Sequence, residues 1–210
     1  MITSEGGMKG SGTGAESNLD LLETSLPVKS LTPNISKGAY IFEEPLSEGS
    51  RRAAFMPLKL GDLRIASSAF GPSGRMDKKY GGDAGNMSPP LEWSGAPKGT
   101  REFALICHDP DAPLPHGYTH WVVYGIPASV NKMSEGQKPN VFSAGVNDTG
   151  KAGYTGPYPP NGHGVHHYYF WIYALGSELK LKPGLARAEL LDAISDHILE
   201  QARVVGTYER

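Results

Sequence analysis

Three apolar segments constrain this chain more than anything else in it: "REFALICHD" at 101–109, "HWVVYGIP" at 120–127 and "VHHYYFWIYAL" at 165–175. All are rich in β-branched or aromatic residues and are bounded by Gly, Pro, Asn or Asp, which is how strands read. No helical pattern lies between them. Parallel strands need a long, usually helical crossover, so these segments are expected to pair antiparallel. Weaker strand signals come earlier, in "LKLGDLRIAS" and "PPLEWSG". The 27 glycines and 17 prolines are scattered without a repeat, which favours many turns and short strands over a helix bundle. Only the C-terminal part reads as a helix. There Leu190, Leu191, Ile194, Ile198 and Ala202 recur at helical spacing after "KPG", and a last short strand, "RVVGTY", follows. The expectation is a mainly β fold: an antiparallel sandwich with a C-terminal helix.

The patterned region starts near Leu58, so residues 58–210 are expected to form the domain and 1–57 an extension. Residues 1–19 are rich in Gly, Ser and Thr and are expected to be disordered and dispensable. Residues 20–57 mix short apolar patches with turn formers, as a covering arm or a loose one. A net charge of −2 gives no broad basic surface for nucleic acid. The one cysteine, Cys107, excludes an internal disulfide and a cysteine-rich zinc site, and its place within "FALIC" reads as a buried thiol. No apolar run approaches the roughly 20 residues of a membrane span, and "MITSEGGMKGSGTGAES" has no apolar leader core, so the expected location is cytoplasmic.

Two stretches carry chemistry. In "HDPDAPLPHGYTHW", Pro110 and Pro113 restrict the residues before them and hold Asp109 and Asp111 in a stiff loop ahead of His120. The plain alternative is that Asp and Pro simply build a turn there. In "GYTGPYPPNGHGVHHYYF", strand alternation puts His166, Tyr168, Phe170, Ile172 and Ala174 on one face and His167, Tyr169, Trp171 and Tyr173 on the other. By the same rule His120 shares a face with Val122 and Tyr124. Two strands that each begin with an inward histidine, after a Pro/Gly-restrained loop, point to one shared pocket at one end of the sandwich. A histidine in either place is also read as a core histidine with its hydrogen bonds satisfied. At a pocket mouth His166 is expected to add about 1 kcal/mol or less to stability. The second aromatic stripe is too apolar to leave in water; the helix is expected to cover part of it, and the extension or, in preference, a homodimer contact the remainder.

These two stretches resemble the phosphatidylethanolamine-binding protein family, which includes the Raf kinase inhibitor proteins and a short bacterial and archaeal branch. One family motif is a D-P-D-A-P turn followed by His before an apolar strand: here Asp109–Pro113, then His120-Trp121-Val122-Val123. The other is roughly G-x-x-P-P-x-G-x-x-H-R-Y, and here Gly156, Pro159, Pro160, Gly162, His166 and Tyr168 take its places. The resemblance implies a two-sheet fold and a small pocket for phosphate, phosphorylated headgroups or similar anions. Carried over, that pocket is built from Asp109, Asp111, His120, Gly156, Tyr158, Pro159, His166 and Tyr168. The sequence departs from the pattern where the usual Arg is His167, and where Tyr158 replaces a small residue at the mouth. The segment between Asp111 and His120 lacks the longer basic stretch of the animal proteins, which weakens any expectation of kinase inhibition.

The functional expectation is a binding protein for a small anionic or phosphorylated ligand, with a regulatory role, a protein partner and a homodimer as further expectations. The glycines of the second stretch would let backbone approach the anion, and its prolines would fix the loop before binding. Asp109 beside His120 would raise that histidine's pKa. The alternative is an enzyme, a hydrolase, isomerase or lyase, with Asp109, His120 and His166 in acid–base roles. Against it, no G-x-S-x-G nucleophile motif is present. No cofactor is expected. A metal site on Asp109, His120 and His166 finds no support in H-E-x-x-H or C-x-x-C spacing.

Overall fold

The computed structural model describes residues 58–138 and 142–210; the expected extension at 1–57 lies outside the described residues. Among the described residues nine strands form two sheets. The smaller sheet holds β1 (Arg64–Ala66), β3 (Leu91–Ser94) and β6 (Lys132–Met133) in the order β1-β3-β6. The larger holds β2 (Gly74–Arg75), β4 (Glu102–Asp109), β5 (Tyr118–Pro127), β7 (Ser143–Ala144), β8 (His166–Leu175) and β9 (Ile198–Tyr208), in the order β2-β9-β8-β4-β5-β7. The three apolar segments are thus the neighbours β8-β4-β5, paired antiparallel as their sequence requires. Among the described residues the one departure from an antiparallel arrangement is the short pair of β2 with β9, which is parallel.

The large sheet is buried on both faces. Toward the small sheet, Phe103, Leu105, Cys107, Trp121, Tyr168, Phe170 and Ile172 meet Leu63, Leu91, Trp93 and Met133. On the far face, Ala104, Ile106, Val122, Tyr124 and Tyr173 pack with Leu190 and Ile194 of helix α1 (Arg187–Ile194). Two buried faces explain why β4 reads as a continuous apolar run rather than an alternating one.

Helix α1 is shorter than the Leu190–Ala202 spacing suggests. It ends at Ile194, a single 3-10 turn follows at Ser195–His197, and Ile198–Tyr208 is one long strand along β8. Ile198 and Ala202 belong to that strand. A bulge between Ala174 and Leu175 pairs Leu175 with Ile198 and passes over Leu199, which turns Ile198 toward the helix side.

The aromatic stripe of β8 meets three neighbours. Helix α1 buries Tyr173. The Arg203 guanidinium, from β9, lies 5.1 Å from the Tyr169 ring and 5.0 Å from the Trp171 ring. His167 pairs with Asp111. No helix of the described residues is long and apolar enough to cross a membrane.

Candidate functional site

The C-terminal end of β4 and the N-terminal ends of β5 and β8 lie side by side, which brings Asp109, His120 and His166 to one edge of the large sheet. Alternation alone explains two of them. Asp109 follows Phe103, Leu105 and Cys107 on the inner face, and His166 leads Tyr168 and Phe170 on the same face. His120 reaches that face by a different route. Cys107 pairs with Trp121 but His108 pairs with Thr119, so His120 is the extra residue of a β-bulge. The bulge takes it off the Val122–Tyr124 face and re-aims its ring at Tyr168, 5.1 Å away between centroids. A convergence expected from simple alternation is therefore achieved by breaking it.

All three side chains are buried and line one cavity of about 320 Å³. Asp109 is paired with His166, not with His120: its Oδ2 accepts from His166 Nδ1–H at 2.8 Å. Its Oδ1 accepts from the Asp111 N–H at 2.8 Å. Burial and the adjacent Asp109 charge push the Tyr168 phenol far above its usual range, so it stays a donor. The expected carboxylate-raised pKa of His120 is reversed. Burial, the largest influence, lowers it, and the Thr155 carbonyl and Asp109 only partly compensate.

The Gly/Pro loop is held by His120 and by two residues outside both motifs, Asn147 and Asn86. His120 Nδ1–H donates to the Thr155 carbonyl at 2.6 Å, and the Thr155 N–H donates back to the His120 carbonyl at 2.9 Å. Asn147 is buried and donates to the Gly153 carbonyl and to Thr155 Oγ1. Asn86 Oδ1 accepts from the Gly156 N–H at 2.7 Å. Gly156 therefore spends its N–H on Asn86, and its missing side chain makes room for protein: a Cβ there would strike the Tyr80 carbonyl and the backbone of 81 and 82. Its role is loop packing rather than close approach to an anion.

Of the expected site residues, Asp109, His120, Gly156, Tyr158, Pro159, His166 and Tyr168 line the cavity. Asp111 does not. It turns outward and accepts from both the ring and the backbone N–H of His167, at 2.7 and 2.8 Å. Burial opposes its charge, but those two bonds prevail and hold its carboxyl below the usual range. The His167 that replaces the family's Arg thus keeps a carboxylate partner outside the cavity. Ala112, Pro113, Leu114, Tyr118, Thr155 and Pro160 complete the wall. Tyr158 stands at the mouth with the Arg210 guanidinium 3.8 Å from its ring centroid, and Arg210 is paired with Asp83. Among the described residues no group of three or more His, Cys, Asp or Glu side chains is placed to hold a metal.

The family model described as phosphatidylethanolamine-binding protein matches residues 66–209. A UPF0098 protein of Methanothermobacter thermautotrophicus is 40% identical over 153 residues, covering 70% of this chain and 99% of its own. A Mycobacterium tuberculosis protein provisionally named lipoprotein LppC is 40% identical over 147 residues, covering 70% of this chain and 72% of its own. Among solved structures, Escherichia coli YbcL, described as a member of the mammalian PEBP family, aligns with a TM-score of 0.67 at 30% identity, covering 71% of this chain and 99% of that one. The Chlamydia trachomatis homologue CT736 aligns with a TM-score of 0.66 at 34% identity, over 70% of this chain and 97% of that one. With a family match that runs through both cavity-lining stretches, the chain belongs to the phosphatidylethanolamine-binding protein family.

Proposed function

We propose that the cavity at the edge of the large sheet binds a small anionic or phosphorylated ligand. One observation carries this reading: two buried histidines, each fixed by its own partner, face a single cavity. Asp109 orients His166 and Thr155 orients His120. The Asp109 carboxylate already accepts from protein donors, so it serves as an orienting group rather than a ligand acceptor. The apolar lining from Pro113, Leu114, Pro159 and Pro160 suits an organic substituent on the anion. Crystals equilibrated with inorganic phosphate test the reading. Tetrahedral density between His120 and His166 is expected; phosphate bound only elsewhere contradicts it.

A second reading, acid–base catalysis, is favoured by the Asp109–His166 bond, which is how an enzyme orients a general base. Turnover of phosphomonoesters that is lost in His166→Asn would establish it. The cytoplasmic location and a homodimer through what Arg203 leaves open of the Tyr169–Trp171 stripe belong to the same proposal. Fractionation and light scattering test them.

A further inference from the structure

We propose that this cavity selects phosphoryl groups that carry a proton, with His120 Nε2 accepting the P–O–H hydrogen. The inference rests on the anion-binding reading above and narrows it to one protonation state.

The tautomer of His120 is set by its partner. Nδ1 lies 2.6 Å from the Thr155 carbonyl oxygen, and a carbonyl oxygen only accepts. Nδ1 therefore holds the proton, and in the neutral ring Nε2 presents a lone pair. Nε2 is buried and has no partner among the described residues. The ring is held in place by the reciprocal backbone bond from Thr155 and by the rings of Tyr118 and Tyr168, 4.8 and 5.1 Å away between centroids. Burial acts on it most strongly and opposes its protonation, as does His108 on β4, while the Thr155 carbonyl, Asp109 on β4 and Asp148 in the loop after β7 favour it. The neutral, accepting form therefore prevails from pH 6.5 upward.

The rest of the wall agrees with this polarity. Among the described residues that line the cavity none is Lys or Arg, and one is the carboxylate Asp109. Arg210 stands outside the wall, over Tyr158 and paired with Asp83. A phosphoryl dianion would face a carboxylate and a lone pair with no fixed cation in reach. A monoanion gives its hydrogen to Nε2 and keeps its charged oxygens for tyrosine hydroxyls of the wall. A buried acceptor left without a hydrogen is costly, so an isostere that lacks the proton is penalised.

Methyl phosphate and methyl sulfate separate this from simple anion binding. The two have nearly the same shape, and methyl sulfate has the charge of the methyl phosphate monoanion but no proton to give. With a second pKa of about 6, the protonated fraction of methyl phosphate falls roughly eightfold between pH 6.5 and 7.5. Calorimetry on the full chain is expected to show its affinity falling by that factor. Methyl sulfate is expected to bind about tenfold or more weaker than the protonated phosphate, at both pH values. His120→Gln, whose amide can present an N–H, is expected to erase the discrimination; should that variant not fold, the wild-type series decides alone. Methyl sulfate binding as tightly as methyl phosphate, an affinity for methyl phosphate that is flat or rises with pH, or discrimination retained in His120→Gln overturns the proton selection and leaves the anion reading standing. Absence of binding by both ligands overturns the two together.

Discussion

His166→Ala is expected to destabilise the fold by about 3–5 kcal/mol, measured as a fall in the urea midpoint at unchanged slope. Position alone suggests far less, because a residue at a pocket mouth has few core contacts. The structure removes that premise. The His166 and Asp109 side chains are 3% and 4% exposed and bond each other at 2.8 Å. Deleting the imidazole strands the carboxylate in the protein, with the Asp111 N–H left to solvate it. Adding Asp109→Asn to His166→Ala removes the stranded charge and is expected to recover part of the loss. A loss below about 1 kcal/mol for His166→Ala would show that the pair is open to water.

Gly156→Ala is the second substitution with a large expected effect, about 1–3 kcal/mol from overpacking. The added Cβ would lie 2.7 Å from the Gly82 nitrogen and 2.8 Å from the Gly81 carbonyl carbon, and closer still to the Tyr80 carbonyl oxygen. All are backbone atoms, pinned by the Gly82 N–H donating to the Pro157 carbonyl at 2.8 Å. The loop must move, and it carries Thr155, the partner of His120. Gly71→Ala is the control: its Cβ meets nothing within 4 Å, and its φ is not in the left-handed region. Thermal melts should rank Gly156→Ala well below Gly71→Ala. Equal melting temperatures would mean that the two backbone segments separate freely.

The strands were legible because their apolar runs are long and their ends are punctuated by Gly, Pro and Asp. The faces of β4 and β8 were legible because a period of two survives along most of their length. What could not be read were the places where that period breaks. At His120 the bulge reverses the face that alternation assigns, and nothing in "YTHWVV" marks it. At Ile198 the spacing fits a helix continued from Leu190, yet a 3-10 turn and a bulge convert it to a strand. Asn86 and Asn147 were invisible for another reason. Their partners, Gly156 and Thr155, are set by tertiary contact, and lone asparagines in turn-rich sequence read as turn formers. Asp111 shows the reverse error: the motif names it, but its side chain faces His167.

Anion binding is expected in the one cavity lined by Asp109, His120 and His166. Titration of the isotope-labelled full chain with inorganic phosphate, followed by amide and imidazole NMR signals, tests it most directly. A single saturable transition is expected, with the largest shifts at His120, Thr155, Gly156 and His166 and little change in helix α1. Saturable shifts centred elsewhere, or none up to concentrations at which small-anion sites fill, would contradict it.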